Sequence, residues 1–281
     1  MNITEIIKSN IDKMTKSERA VATYFLKSPN EFAFETLDSI AYKIKTSTTS
    51  VLRFCRKIGF DGYKVFQDEV RNGFKYQFTL PDKFKIASMS EDSDSQFPQY
   101  VINAINCIEN TFRNIPQNSI LRAAEEIAQA DRVFCFGLKE SFALAHYAYT
   151  RFLTVRNDVY LSSAYQSGEI ESLLSLRKGD VCIFYLFHRY TKPAPQILKT
   201  IKNQGASVIL ITSPPFNEVE KDATVLLPCE VDINGIKNSS AAPVCITDCL
   251  CNMVVSKSGH QTLDYMKQSE ILFKNFTFQE T

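Results

Sequence analysis

The sequence predicts a chain in two parts: an all-α N-terminal domain, then an α/β domain in which a five-stranded parallel sheet is flanked by helices. Two observations predict this. From Met1 to about Phe78, apolar residues recur at spacings of three and four, the period of helices packed on a common core. Beyond about residue 99, short continuous apolar runs alternate with amphipathic stretches, as parallel strands covered on both faces do. Between them, Pro81 to Pro98 is polar, acidic in its second half and without periodicity, so it reads as a linker. The domains are therefore set at 1–78 and 99–281, with 79–98 as the linker.

The first part opens on "ITEIIKSNIDKM", an amphipathic helix. The second helix starts at the Thr-x-x-Glu capping box of Thr15 and Glu18 and runs through "TKSERAVATYFLKSP". Ser28-Pro29 closes it, because the residue before a proline is disfavoured in the α region. A third helix is expected from about Leu37 to Lys43, with Thr36 as N-cap and Leu37, Ile40 and Ala41 facing inward. The turn "IKTS" follows, and Ser47 is placed to cap a fourth helix that runs through Lys57 and stops at Gly59. Two short helices joined by such a turn make a helix-turn-helix unit.

In that unit the second helix enters the major groove of DNA, its first turn reaching base edges and its cations reaching phosphates. The fourth helix fits this division. Thr46, Ser47, Thr48, Thr49 and Ser50 are small hydroxyl donors that allow close approach. Val51, Leu52, Phe54 and Cys55 include the residues that seat the helix on its core, which leaves Arg53, Arg56 and Lys57 for phosphates. Cations at a helix C-terminus more often form only a solvated face favoured by the macrodipole, so the surrounding unit is what raises their interest. Residues 1–80 hold 13 basic against 9 acidic residues, a modest excess that suits salt-sensitive binding as a dimer better than tight binding by a monomer.

In the second part, "QYVINAINCIENTFRNIPQNSILRAAEEIAQA" reads as one or two helices. Strands are expected at 132–137, 158–163, 180–186, 207–213 and 224–229. Helices are expected at Ser141 to Arg156 and Pro193 to Asn203, with a long helix or a pair of helices from about Ser240 to Phe276.

Composition limits the function. The net charge of +1 and pI near 7.5 exclude a globally basic protein, so nucleic-acid binding has to come from a local patch. Most of the eight cysteines sit in apolar runs and read as buried thiols of a reduced, cytoplasmic protein. Cys245 and Cys249 share a helix face, but Cys251 turns away and no histidine completes a ligand set, so no metal is expected. No cofactor is expected either. No signal peptide opens the chain, and no apolar run approaches the ~20 residues of a membrane span.

The motifs "TKSER", "LDSIAYKI" and "SVLRFCRKIGFDGY", with the Ser/Thr-rich start of the fourth helix, closely resemble the helix-turn-helix domain of the RpiR family of bacterial transcriptional regulators. The second part resembles the sugar isomerase (SIS) domain that follows it in that family. The resemblance implies a regulator of carbohydrate metabolism genes that binds double-stranded operator DNA. It also implies a homodimer, possibly a tetramer, whose SIS domain senses a phosphorylated sugar or amino sugar.

Open parallel sheets bind ligands beyond the strand C-termini, and a phosphate there wants helix N-terminal amides and hydroxyls. SIS domains typically supply these with Gly-x-Gly-x-Ser after the first strand and Ser-x-Ser-Gly-x-Thr after the third. Here the first turn, "FGLKES", keeps Gly137 and Ser141 but has Lys139 for the second glycine. The second, "LFHRYT", keeps only Thr191, with Leu186, His188 and Arg189 at the places of the serines and the glycine. Either the pocket is rebuilt for an anion, with Lys139 and Arg189 as charge partners, or it has lost its ligand and survives as a dimerisation scaffold. "RYT" is similar to a subgroup of the family with Arg-Tyr-Ser or Arg-Tyr-Thr in this turn.

Blander roles stand beside these. Ser141 and Thr191 are equally placed to cap helices, His188 to be a hydrogen-bonded loop histidine, and Ser239 and Ser240 to cap the last helical segment. His146 and His260 have no identifiable partner. A competing reading is a phosphosugar isomerase, for which Glu140 or His188 is the nearest base. The altered turns and the intact helix-turn-helix count against it, and no catalytic residue is assigned.

Overall fold

The computed structural model describes residues 3–74, 78–88, 96–163, 169–188, 190–216, 218–232, 237–257 and 259–276. The chain divides into two compact units, Met1–Ser93 and Asp94–Thr281.

The first unit is helical: α1 (Ile3–Asn10), α2 (Lys16–Lys27), α3 (Pro29–Phe34), α4 (Leu37–Ile44), α5 (Thr48–Lys57), α6 (Tyr63–Phe74) and α7 (Leu80–Ser88). The capping box forms as expected. The Thr15 amide donates to Glu18 Oε2 at 2.8 Å, and the Glu18 amide donates to Thr15 Oγ1 at 3.4 Å. Helix α3 has only six residues, so its last carbonyls need outside donors, and α6 supplies them. Gln67 Nε2 donates to the carbonyls of Phe32 (3.1 Å) and Glu35 (2.9 Å), the Tyr63 hydroxyl to Glu35 (2.9 Å), and Arg71 Nε to Ala33 (2.8 Å). Phe25, Phe32, Phe54 and Phe66 meet in the core in tilted and edge-on pairs with centroids 5.2–5.9 Å apart.

The expected linker is not structureless. Helix α7 opens it and α8 begins at Gln96, while residues 89–95 lie outside the described ones. Thr79 starts α7: its amide donates to Asp82 Oδ2 at 2.8 Å, and its hydroxyl accepts from the Asp82 amide at 3.3 Å. Pro81 then falls in the first turn, where a missing N–H costs nothing.

The second unit runs α8 (Gln96–Asn114), α9 (Gln117–Gln129), β1 (Val133–Gly137), α10 (Ser141–Phe152), β2 (Val159–Ser162), α11 (Glu169–Ser172), β3 (Val181–Leu186), α12 (Ala194–Asn203), β4 (Ser207–Thr212), β5 (Val225–Pro228), α13 (Ala241–Lys257) and α14 (His260–Phe276). All five strands are parallel, in the order β2-β1-β3-β4-β5. Alternate residues face two cores. Cys135, Ile183 and Ile209 meet residues of α9, α10 and α13, while Phe136, Phe184 and Leu210 meet α12. Strand β3 is buried along its whole length, as a central parallel strand should be.

Helix α10 stops at Phe152, short of the expected Arg156. Arg156 instead donates to the carbonyls of Ile127 (2.5 Å) and Ala130 (2.6 Å) at the end of α9 and pairs with Asp158 at 2.6 Å. Tyr185, fully buried in β3, is satisfied by α13. The Thr247 hydroxyl donates to the Pro243 carbonyl at 2.8 Å, so the Tyr185 hydroxyl donates to Thr247 Oγ1 at 2.6 Å. Among the described residues no helix is long and apolar enough to cross a membrane.

Candidate functional site

The structure forms two candidate sites, one in each unit. In the first, Thr36 caps α4, accepting from the Ser39 amide, and Ile40 and Ala41 face the core with Leu37 packed beside them. The chain reverses through Lys45, which adopts a left-handed conformation at φ +58°. The Thr46 amide returns to the Ala41 carbonyl at 2.9 Å and the Lys45 amide to Tyr42 at 3.0 Å, which closes α4. Ser47 Oγ then accepts from the Ser50 amide at 3.2 Å and opens α5, and the two serine hydroxyls lie 3.0 Å apart. At the other end Gly59, at φ +92°, lets the Phe60 amide reach the Cys55 carbonyl at 2.9 Å, so α5 stops where the glycine dictates.

Val51, Phe54 and Cys55 bury one face of α5. Burial pushes the Cys55 thiol up to about 12, so it stays protonated as a core residue. The opposite face exposes Thr49, Arg53 and Arg56, and Thr46, Thr48 and Ser50 are partly exposed around the start of the helix. Lys57 departs from expectation. It is exposed like Arg53 and Arg56, but its Nζ also lies 3.8 Å from Oε2 of Glu18, the buried capping-box carboxylate of α2, an ion pair within the protein that the sequence did not suggest. The Thr15 amide is the main reason the Glu18 carboxyl titrates below its usual range; Lys57 and Arg53 add to it.

The second site lies beyond the C-terminal ends of β1 and β3, where the strand order reverses. A Cβ on Gly137 would overlap the Ser141 carbonyl, so only glycine lets α10 pack this close to β1. Lys139 takes a left-handed conformation at φ +52°, and its side chain is exposed. The backbone keeps the geometry a glycine would favour. Ser141 is the first residue of α10, and Glu140 stands at the N-cap without a side-chain cap, so Ser141 does not cap this helix.

The amides of Ser141, Phe142 and Ala143 bond back to Leu138, Lys139 and Glu140 at 3.1–3.2 Å. Those bonds occupy the N–H groups that an anion would use. Helix α12 is similarly blunted: the Ala194 amide bonds Thr191, Pro195 has no N–H, and only Gln196 remains among the first three residues.

After β3, His188 Nε2 donates to the Pro215 carbonyl at 2.6 Å, and its ring stacks on Tyr190 at 4.5 Å. Burial, partly opposed by hydrogen bonds to backbone carbonyls, holds the imidazole below its usual pKa. The Asn238 side chain donates to the His188 carbonyl at 3.0 Å. His188 therefore organises the loop, and its bonded Nε2–H is not a base for a substrate. Glu140 forms an exposed ion pair with Lys237. Arg189 lies outside the described residues. The hydroxyl of Thr191 is buried with no hydrogen-bond partner among the described residues, and so is that of Ser213, just past β4.

Sequence reasoning missed Ser213, Lys237 and Asn238, which reach this edge of the sheet from β4 and from the segment before α13. Ser239 fulfils its expected role, accepting from the Ala241 amide at 3.2 Å. Six of the eight cysteines are buried, and Cys245 and Cys249 are half-buried.

Comparison with known proteins agrees with this geometry. Residues 1–75 match the helix-turn-helix domain of the rpiR family, and residues 126–253 match the SIS domain. The chain carries the helix-turn-helix domain of the rpiR family followed by a SIS domain. An HTH-type transcriptional regulator from Caldanaerobacter subterraneus is 25% identical over 96% of this chain and 97% of its own length. The HTH-type transcriptional regulator HexR of Escherichia coli is also 25% identical, over 100% of this chain and 97% of its own. Among solved structures, Vibrio vulnificus NanR complexed with ManNAc-6P superposes with a TM-score of 0.58 at 18% identity, covering 99% of this chain and 100% of that one. The two-domain order is that of the RpiR-type transcriptional regulators.

Proposed function

We propose that this protein regulates transcription by binding double-stranded operator DNA through α5, in response to a phosphorylated sugar or related anion taken up by the SIS domain. The observation that carries the DNA reading is the solvent face of α5. Thr49, Arg53 and Arg56 lie together on a helix capped at both ends and held on its core by Val51, Phe54 and Cys55. Ser47 and Ser50 shape the start of the helix, and Thr46 and Thr48 flank it.

The protein acts as a homodimer or tetramer, which presents two such helices to half-sites on one duplex face. Apolar exposure in the second unit supports this: Phe97, Tyr100, Val101 and Ile105 along α8, and Ile271 and Leu272 along α14, are exposed. The reading is that of a cytoplasmic regulator without catalysis, because His188 is bound to a backbone carbonyl and Glu140 to Lys237.

For the effector, the unpartnered Thr191 hydroxyl is the supporting observation, since buried polar atoms normally find a partner. Gly137, Lys139, Ser141 and Arg189 complete the proposed site, and His188 shapes it. The occupied amides of α10 and α12 favour a second reading, a SIS domain that serves only as a scaffold.

Two measurements test these proposals. Fluorescence anisotropy on DNA upstream of the protein's own gene, against a shuffled duplex and over a salt series, is expected to show preference for the native duplex. It should also show a steep salt slope that flattens in Arg53→Ala. Equal weak binding to both duplexes counts against the α5 reading. A thermal-shift panel of phosphosugars is expected to yield one ligand that stabilises by about 2.7 kcal/mol at a hundredfold excess over Kd. Silence across the panel favours the scaffold.

A further inference from the structure

We propose that Glu18 withholds Lys57 from DNA: a buried carboxylate on α2 holds the last cation of α5 against the protein, so the recognition helix offers two phosphate-binding charges, Arg53 and Arg56, instead of three. This rests on the reading of α5 as the DNA-contacting helix.

Glu18 is 6% exposed and lies within ion-pair distance of Lys57, the last residue of α5. One oxygen, Oε2, accepts the Thr15 amide at 2.8 Å and faces Lys57 Nζ at 3.8 Å. The carboxylate cannot follow Lys57 outward without opening the capping box that starts α2. If Lys57 turned to a phosphate, a charge buried in the protein would lose its partner, and such a charge is costly to leave alone. The titration of Glu18 agrees: Lys57 and Arg53, one turn apart on α5, are the two charges that help hold it ionised. Arg53 and Arg56 are exposed and form no ion pair among the described residues, whereas Lys57, also exposed, has this one.

The functional consequence is specificity. A third phosphate contact would strengthen binding to every sequence alike, whereas base contacts discriminate. Neutralising one cation from within lowers the background affinity without touching the first turn of the helix.

The test uses the full chain and four proteins: unmodified, Glu18→Gln, Lys57→Met and the double variant. Glutamine keeps an acceptor for the Thr15 amide, and methionine keeps the apolar stem of Lys57. The salt dependence of binding to the preferred duplex is read for each. The unmodified, Lys57→Met and double variants are expected to share one slope, while Glu18→Gln is steeper by about 0.9 for each helix engaged. A Lys57→Met slope shallower than the unmodified one by that amount, or a Glu18→Gln slope equal to it, overturns the proposal.

Mass-spectrometric acetylation of Lys57 by acetic anhydride separates this from a failure of the α5 reading. Faster labelling in Glu18→Gln than in the unmodified protein is expected whether or not DNA is present. Equal labelling overturns the pairing. Absence of any DNA binding by the unmodified protein overturns the α5 reading itself, and the withholding of Lys57 with it.

Discussion

The two edges of the SIS sheet are finished to opposite standards. At the N-terminal edge, Asp180 is 1% exposed, yet its carboxylate accepts Arg132 Nε at 2.9 Å, Arg132 Nη2 at 2.5 Å and the Arg177 amide at 2.9 Å. Arg132 also donates to the Ser175 carbonyl at 2.8 Å, and its guanidinium lies over the Phe134 ring. At the C-terminal edge, the hydroxyls of Thr191 and Ser213 are buried without partners among the described residues, and Lys139 occupies backbone space suited to glycine. The N-terminal edge spends its polar groups on stability. The C-terminal edge bonds His188, Asn238 and the first amides of α10 within the protein, yet leaves two buried hydroxyls unspent.

The largest test of that contrast is Arg132→Met. It leaves Asp180 buried with the Arg177 amide alone, and breaking one half of a buried pair costs about 3–5 kcal/mol. Chemical denaturation at pH 7 should register the loss as a lower midpoint at unchanged slope. The pH dependence adds a sign. Burial alone would raise the Asp180 pKa, but Arg132 and the Arg177 amide hold it below its usual value. In the unmodified protein that contribution is present above the unfolded pKa and is lost as pH falls through the folded one. Without Arg132, burial dominates and the folded pKa rises, so the variant should recover part of its deficit as pH falls from neutral towards 4. A deficit constant over that range would mean that Asp180 finds another cation.

At the other edge, Lys139→Gly should stabilise. A left-handed conformation costs a non-glycine residue about 1–2 kcal/mol, and the greater freedom of glycine in the unfolded chain returns roughly half of that. The expected net gain is about 0.5–1 kcal/mol, read as a higher Tm. Effector binding should weaken in the same variant if the Lys139 ammonium serves as a charge partner. A gain in stability with unaltered binding would make Lys139 a tolerated strain and nothing more.

Local interactions made most of the fold legible. The Thr15–Glu18 box, the Ser47 cap, the stop at Gly59 and all five strands rest on residues a few positions apart or on short apolar runs, so their signals survive in one dimension. The same local rule was available at Thr79 and Asp82, but Pro81 between them reads more readily as a loop residue than as part of a helix's first turn. What escaped depends on tertiary pairing. Glu18 and Lys57 lie 39 residues apart and His188 and Pro215 27 apart, and nothing in either neighbourhood announces the partner. Gly137 and Thr191 could be named as site candidates from the family's turns. That the amides beside them are already bonded was visible only in three dimensions.

Thr191→Val gives the smallest stability effect and the sharpest discrimination. The substitution removes a hydroxyl and keeps the branched shape. A buried hydroxyl with a partner typically contributes about 1 kcal/mol, and one without a partner carries its desolvation cost uncompensated. The structure places Thr191 in the second class, so Tm should hold or rise slightly. A fall in stability of about 1 kcal/mol or more would show that the hydroxyl already has a structural partner, such as an ordered water. Paired with the phosphosugar panel, the variant separates two kinds of unfinished edge. A ligand whose thermal shift disappears in Thr191→Val, while the free protein melts as before, makes the vacant hydroxyl part of a recognition site. A shift that survives unchanged places recognition on Lys139, Ser141 and the segment around Asn238, and leaves Thr191 as a polar atom that the folded protein tolerates.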